Sequence, residues 1–153
     1  MQSPTANSIL PKVLVIAIIA LALIGFADST FLLAKRISGT HIPCFITTGC
    51  DEVAKSPYAV IFGVPLSLLG VIFYLGIGLI TLLYADTKNL LFAKLIFPAT
   101  LIGFLCSCYF LYVQKFLIGS FCIYCIGSAI TSTLLFLLGI LVYRKLKEPV
   151  VSL

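Results

Sequence analysis

The sequence predicts an all-α integral membrane protein, a four-transmembrane-helix bundle with an extracytoplasmic loop carrying a cysteine pair. Composition is the first reason: 61% of the 153 residues are hydrophobic and 10% charged, and the mean hydropathy is +1.22, far from the range of soluble globular domains. Segment length is the second. A hydrocarbon core of roughly 30 Å takes about 20 apolar residues in a helix, and four stretches reach that length. The third is where the cysteines fall. Cys44 and Cys50 lie in a polar loop, and Cys122 and Cys125 form a C-x-x-C at the start of a long uncharged apolar stretch.

The first span is expected at about 11–34. Lys12 precedes its apolar run, and Gly25-Phe26-Ala27 resembles the small-x-small cleavage site of a signal peptide. A retained helix is the better reading, because a single Lys leads the run and Phe31-Leu32-Leu33-Ala34 continues it past the supposed cut. The loop 35–59 follows, then spans at about 60–84, 90–114 and 116–143. The second and fourth contain no Asp, Glu, Lys or Arg. Lys94 stands near one end of the third, where its stem can snorkel to the interface. Pro98 should kink that helix or sit where a neighbour covers the freed carbonyl. Residues 1–10 and 144–153 are read as short cytoplasmic tails flanking one domain over 11–143, with no separate soluble domain.

The net charge of +5 does not point to nucleic acid, because the Lys and Arg residues stand at the ends of apolar runs, where they serve topology and headgroup contact. Four spans put both termini on one side. Lys12, Lys88, Lys94, Arg144, Lys145 and Lys147 lie on that side, against Lys35, Arg36, Lys55 and Lys115 opposite, together with Asp51 and Glu52. The positive-inside rule therefore favours cytoplasmic termini in a cell (inner) membrane and an extracytoplasmic cysteine loop, where disulfides persist.

On a helix, residues i and i+3 are neighbours, so Cys122 and Cys125 can close a local disulfide or exchange with another thiol. Near a helix N-terminus they also feel the positive end of its dipole, which favours thiolate. A redox pair fits this spacing and setting. Half of a zinc site and a fixed disulfide are the alternatives, but zinc needs more Cys or His ligands, and His41 is the sole histidine. Cys44 and Cys50 enclose a segment with Thr47, Thr48 and Gly49. It can close a small ring as a structural staple, or swing a sulfur elsewhere, as thiol exchange requires. Cys106 and Cys108 sit inside the third span, point to nearly opposite faces and read as packing residues.

These residues resemble the vitamin K epoxide reductase family. The likeness runs through Pro43-Cys44, Gly49-Cys50, Ser56, Ile61-Phe62-Gly63-Val64-Pro65-Leu66-Ser67 and Cys122-Ile123-Tyr124-Cys125, in the family's order and spacing, and covers about 25–143. The resemblance implies a four-helix catalytic bundle around a quinone (ubiquinone, menaquinone or vitamin K-like) and no metal. Cys44 then meets a thioredoxin-like, DsbA-like protein, Cys50 exchanges with Cys122, and Cys125 is the sulfur nearest the quinone ring. Ser56 matches the serine beside the quinone. No fused thioredoxin-like domain is evident, so the resemblance implies a separate partner. Ala59 stands where vertebrate members carry a vitamin K-contacting Asn, so plain quinone reduction is favoured over epoxide reduction.

Quinones dissolve in bilayers, and the uncharged helices can wall an apolar pocket with aromatic side chains such as Phe62, Phe73, Tyr74, Phe121 and Tyr124. Gly70, Gly76, Gly78, Gly103 and Gly127 allow close helix approach. Asp28 near the outer end of the first span suggests either a proton path or interfacial hydrogen bonding with Ser29 or Thr30. His41 can stabilise a thiolate or be an ordinary loop residue. The expected activity is that of a membrane thiol:quinone oxidoreductase supporting disulfide formation. Its rivals are a vitamin K-type reductase using the same cysteines, a DsbB-type enzyme, whose cysteine pairs come in the opposite order, and a tetraspanin-like scaffold with structural disulfides.

Overall fold

The computed structural model describes residues 10–44 and 49–147, and four helices among them are long and apolar enough to cross a membrane. Helix α1 spans Lys12–Ser38, a short α2 spans Cys50–Lys55, and α3, α4 and α5 span Leu66–Thr87, Leu90–Val113 and Ile123–Lys147. Pro11 precedes α1 with φ −63°, an angle that its ring already holds. Gly39 closes α1 at φ 65°, its N–H on the Arg36 carbonyl, in the left-handed conformation that glycine adopts without a Cβ clash. Lys35 and Arg36 occupy the last turn, where the negative end of the helix dipole favours cations.

At the other end of the bundle, α3 and α4 join through Lys88 and Asn89. Lys88 takes φ 54° to end α3. The Asn89 side chain accepts from Leu91 N–H at 3.0 Å and so satisfies one of the free donors at the start of α4. This joint makes α3 and α4 antiparallel neighbours. Both α3 and α5 pack against α1 as well as against α4, so the four long helices close into a ring around one core. The Tyr74 hydroxyl on α3 donates to the Ser128 carbonyl on α5 at 2.8 Å. Its ring covers Gly25 of α1, where any Cβ would overlap it. Phe73 lies against Gly103 of α4 in the same way, whereas Gly76 and Gly127 meet nothing across the helix surface.

Two spans begin later than apolarity alone suggests. The second, expected from residue 60, starts at Leu66, because Val60–Ile61 (β1) and Val64–Pro65 (β2) pair as a small antiparallel hairpin. Phe62 and Gly63 make its turn with φ 51° and 81°, the doubly left-handed geometry that suits strand twist. The fourth, expected from residue 116, starts at Ile123. A π turn over Gln114–Ile118 prolongs α4, and Gly119 ends it at φ 71°.

Helix α1 passes unbroken through the Gly25-Phe26-Ala27 stretch. Leu10, expected in a tail, is 1% exposed in the core, its N–H on the Tyr84 hydroxyl at 3.3 Å. Helix α5 likewise continues to Lys147. Residues 1–9 and 148–153 of the expected tails, and Thr47 and Thr48 of the cysteine loop, lie outside the described residues.

The Gly25–Tyr74 contact is testable. Gly25→Val should lower stability by about 1–3 kcal/mol through overpacking, seen as earlier thermal unfolding of the detergent-solubilised protein. Gly76→Val, which meets open space, should leave the transition in place.

Candidate active site

The cysteines gather at the end of the bundle where α1 stops and α5 begins. Cys50 and Cys122, at 0% and 1% exposure, belong to one buried cluster with Ile42, Val53 and Phe110, and Cys44 and Cys125 pack against it. Cys44 and Cys50 form a disulfide with Cα atoms 6.1 Å apart, an ordinary span for such a bond. Cys122 and Cys125 are thiols. All four expected cysteines therefore meet in one place, with Cys44 half-buried and Cys50 enclosed.

Several contacts hold the loop against α5. Gly49 sits so close to Ser120 and Phe121 that a Cβ would lie 2.7 Å from the Ser120 side chain and 3.0 Å from the Phe121 backbone. Ser120 Oγ donates to the Glu52 carboxylate. Asp51 organises the loop's start, accepting from Ile42 N–H at 3.0 Å and pairing with His41 Nδ1 at 2.8 Å. His41 thus faces a carboxylate in this arrangement. The Arg36 guanidinium donates to the Ala54 carbonyl, which ties the end of α1 to α2.

Cys122 stands immediately before α5, and its carbonyl accepts the first helical bond, from Ile126 N–H at 3.0 Å. A C-x-x-C placed so puts the first sulfur at the mouth of the helix and the second one turn inside. Cys122 precedes the span, and its thiol is held below the ordinary range. The chief cause is a hydrogen bond from the Cys125 thiol; burial opposes it, and bonds from the Cys125 and Tyr124 backbone N–H groups assist it. A helix N-terminus with free N–H donors stabilises an anion. Cys122 N–H, in turn, donates to Gln114 Oε1 at 3.0 Å.

Beneath the cysteines lies a mainly apolar cavity of about 350 Å³ between α1, α3, α4 and α5, which both Cys122 and Cys125 line. Phe73 and Tyr74 stand on its wall as expected, and Ala59 with them, but Ser56, Phe62, Phe121 and Tyr124 do not. Ser56 Oγ donates to the Val53 carbonyl at 2.8 Å, closing the end of α2. Phe62, at 103% exposure, projects from the hairpin turn, and Phe121 is 42% exposed. Tyr124 instead donates to the Pro43 carbonyl at 3.2 Å and packs on Phe31, ring centroids 5.1 Å apart. It clamps the residue before Cys44 to the C-x-x-C helix.

Cys106 lines the cavity, and both Cys106 and Cys108 are exposed at the surface of the helices. Asp28 makes neither of the expected hydroxyl bonds through its buried Oδ2, which has no partner. It lies within electrostatic reach of Tyr74, Cys122 and Cys125. Gln114 was not singled out in the sequence, although a lone amide at the end of an apolar helix is a signal. Among the described residues, no group of three or more His, Cys, Asp or Glu is placed to hold a metal.

The sequence matches the vitamin K epoxide reductase family over residues 16–140. The chain belongs to this family. With four candidate spans, it is a multi-pass membrane protein. Among curated proteins, the thiol-disulfide oxidoreductase LTO1 of Arabidopsis thaliana is 37% identical over 124 residues, a match covering 74% of this chain and 32% of that protein. The chain thus spans about a third of the length of the curated relative it matches.

The environment of Cys122 predicts a pH profile. In a reduced protein retaining only Cys122 and Cys125, alkylation at Cys122 should persist as pH falls below the ordinary thiol range near ~8.5, because a lowered pKa keeps thiolate present at lower pH. Cys125→Ala removes the main stabilising donor and should move the profile upward. Mass mapping of alkylated peptides across pH reads both.

Proposed function

We propose that this protein is a thiol:quinone oxidoreductase, which oxidises a thioredoxin-like, DsbA-like partner and passes the electrons through its two cysteine pairs to a membrane quinone. The observation that carries the reading is the cavity. An apolar chamber within the spans has the C-x-x-C sulfurs in its wall, directly beneath a cluster that also holds the loop disulfide. Its apolar lining suits a ring that arrives from lipid, and the unpartnered polar atoms Gln114 Nε2 and Ser132 Oγ at its wall suit an occupant with hydrogen-bonding oxygens.

The electron path is the one that the family resemblance implies, and exposure supports Cys44 as its point of entry. A thiolate of the partner attacks the more accessible Cys44, breaks the Cys44–Cys50 bond and is then displaced by its own second thiol, leaving the partner oxidised and the loop pair reduced. Cys50 next attacks Cys122 of an oxidised C-x-x-C and releases Cys125. Cys44 resolves the mixed disulfide, restoring Cys44–Cys50 and leaving two thiols at the cavity. A quinone accepts two electrons and two protons from that pair, which closes the Cys122–Cys125 disulfide.

The loop-oxidised, C-x-x-C-reduced arrangement is the state that awaits quinone. Ala59, an apolar residue at the cavity wall, supports quinone reduction over epoxide chemistry. Oxidation of exported proteins requires the loop to face outward from the cell membrane, with both termini cytoplasmic and 11–143 as the catalytic unit.

Purified protein, given a reduced thioredoxin-like substrate, should reduce quinone as followed by ultraviolet absorbance; Cys125→Ala should reduce this to background. In Cys44→Ala, a Cys50–Cys122 bridge should accumulate on non-reducing gels with peptide mapping, and a Cys50–Cys125 bridge as main product would refute the order. Orientation has its own check. A membrane-impermeant maleimide should label Cys44 or Cys50 in reduced, intact spheroplasts, and labelling only after lysis would invert the topology.

A further inference from the structure

Gln114 is fully buried, at 0% exposure, in the single π turn that ends α4. Such turns interrupt the regular ladder and frequently mark functional positions. Its carboxamide orientation is settled by one bond, since Oε1 accepts the Cys122 N–H at 3.0 Å. The reversed amide would set an NH₂ against an N–H, two donors facing each other. Nε2 is therefore directed away from Cys122. It is buried without a hydrogen-bond partner, and the residue lines the cavity that Cys122 and Cys125 also line.

We propose that Gln114 Nε2 is the hydrogen-bond donor that receives a quinone carbonyl oxygen and holds the ring against the C-x-x-C pair. This rests on the quinone reading of the cavity and adds the residue that orients the ring. A buried donor left unmatched is unfavourable, so the cavity favours an occupant presenting an acceptor at this point, which a carbonyl does and an acyl chain does not. The same amide caps the backbone of Cys122, so one side chain positions both the sulfur-bearing turn and the oxygen of the acceptor. As electrons enter the ring, negative charge grows on that oxygen, and a fixed donor stabilises it. Ser132 Oγ, also buried without a partner at the cavity wall, is a weaker candidate, because a hydroxyl can rotate toward its own helix backbone.

The test separates the donor from the cap. Gln114→Glu keeps an oxygen for Cys122 N–H at every pH, but it offers a donor only while its carboxyl is protonated. Steady-state reduction of a decyl-substituted benzoquinone, with dithiothreitol feeding the cysteines, should give a near-native quinone KM for this variant at low pH. As the carboxyl ionises, KM should rise by about tenfold or more relative to wild type at the same pH. Gln114→Met, with no donor at any pH, should show the raised KM throughout. Infrared difference spectra with carbonyl-labelled quinone should shift between wild type and Gln114→Met, a readout that a purely structural cap would not move. Exchange between the loop pair and the C-x-x-C, followed by peptide mapping, verifies that each variant is folded. An unchanged quinone KM and carbonyl band in both variants would overturn the role of Gln114 while leaving the quinone reading intact. A wild-type protein that exchanges its disulfides yet reduces no quinone would overturn that reading and this one together.

Discussion

The fit of Gly49 against the backbone at Ser120 and Phe121 is the constraint on which the site depends, because it brings together two segments separated by some seventy residues of chain. Disulfide exchange needs sulfurs in contact, and a side chain at position 49 would have to displace main chain rather than a flexible tip. The hydrogen bonds around this contact, from Tyr124 to Pro43, from Ser120 to Glu52 and from Ile42 N–H to Asp51, are each modest, at about 1 kcal/mol. Together they fix the position of a loop that has little regular structure. The disulfide pair is thereby held on the end of the bundle instead of ranging through solvent.

Below that contact, the physics changes from loop packing to the requirements of a bilayer. Backbone groups in hydrocarbon must be satisfied within the protein, and Gly119 and Cys122 show two ways of doing so where a helix ends. Gly119 N–H returns to the Gln114 carbonyl, and Cys122 N–H finds the Gln114 side chain. The short crossover from α4 to α5 is thus closed around one glutamine. Cys122 stands at a helix mouth, buried, with its backbone N–H satisfied. The cavity follows from the ring of helices. Tyr74 and Phe73 fill the spaces over Gly25 and Gly103 and form part of the wall of the space left beneath the cysteines.

The amino-acid sequence by itself determined the fold class. Four apolar stretches of sufficient length leave few alternatives in a bilayer, and the cysteine spacing drew attention to two pairs. Helix ends were less legible: the first span, expected to end at residue 34, runs on to Ser38. What the tertiary structure decided was everything that depends on direction. Apolarity does not distinguish a membrane helix from an apolar hairpin, so the second span ran on to Val60. Nor does it distinguish a side chain facing a cavity from one facing outward. Phe62 projects from a turn and Phe121 from a crossover, placements that apolarity alone does not reveal. Tyr124 proved to clamp the loop, and Cys106 to face the chamber. Gln114 escaped notice because its importance lies in a bond to a residue eight positions on and in a donor left without a partner, and both are properties of the folded arrangement.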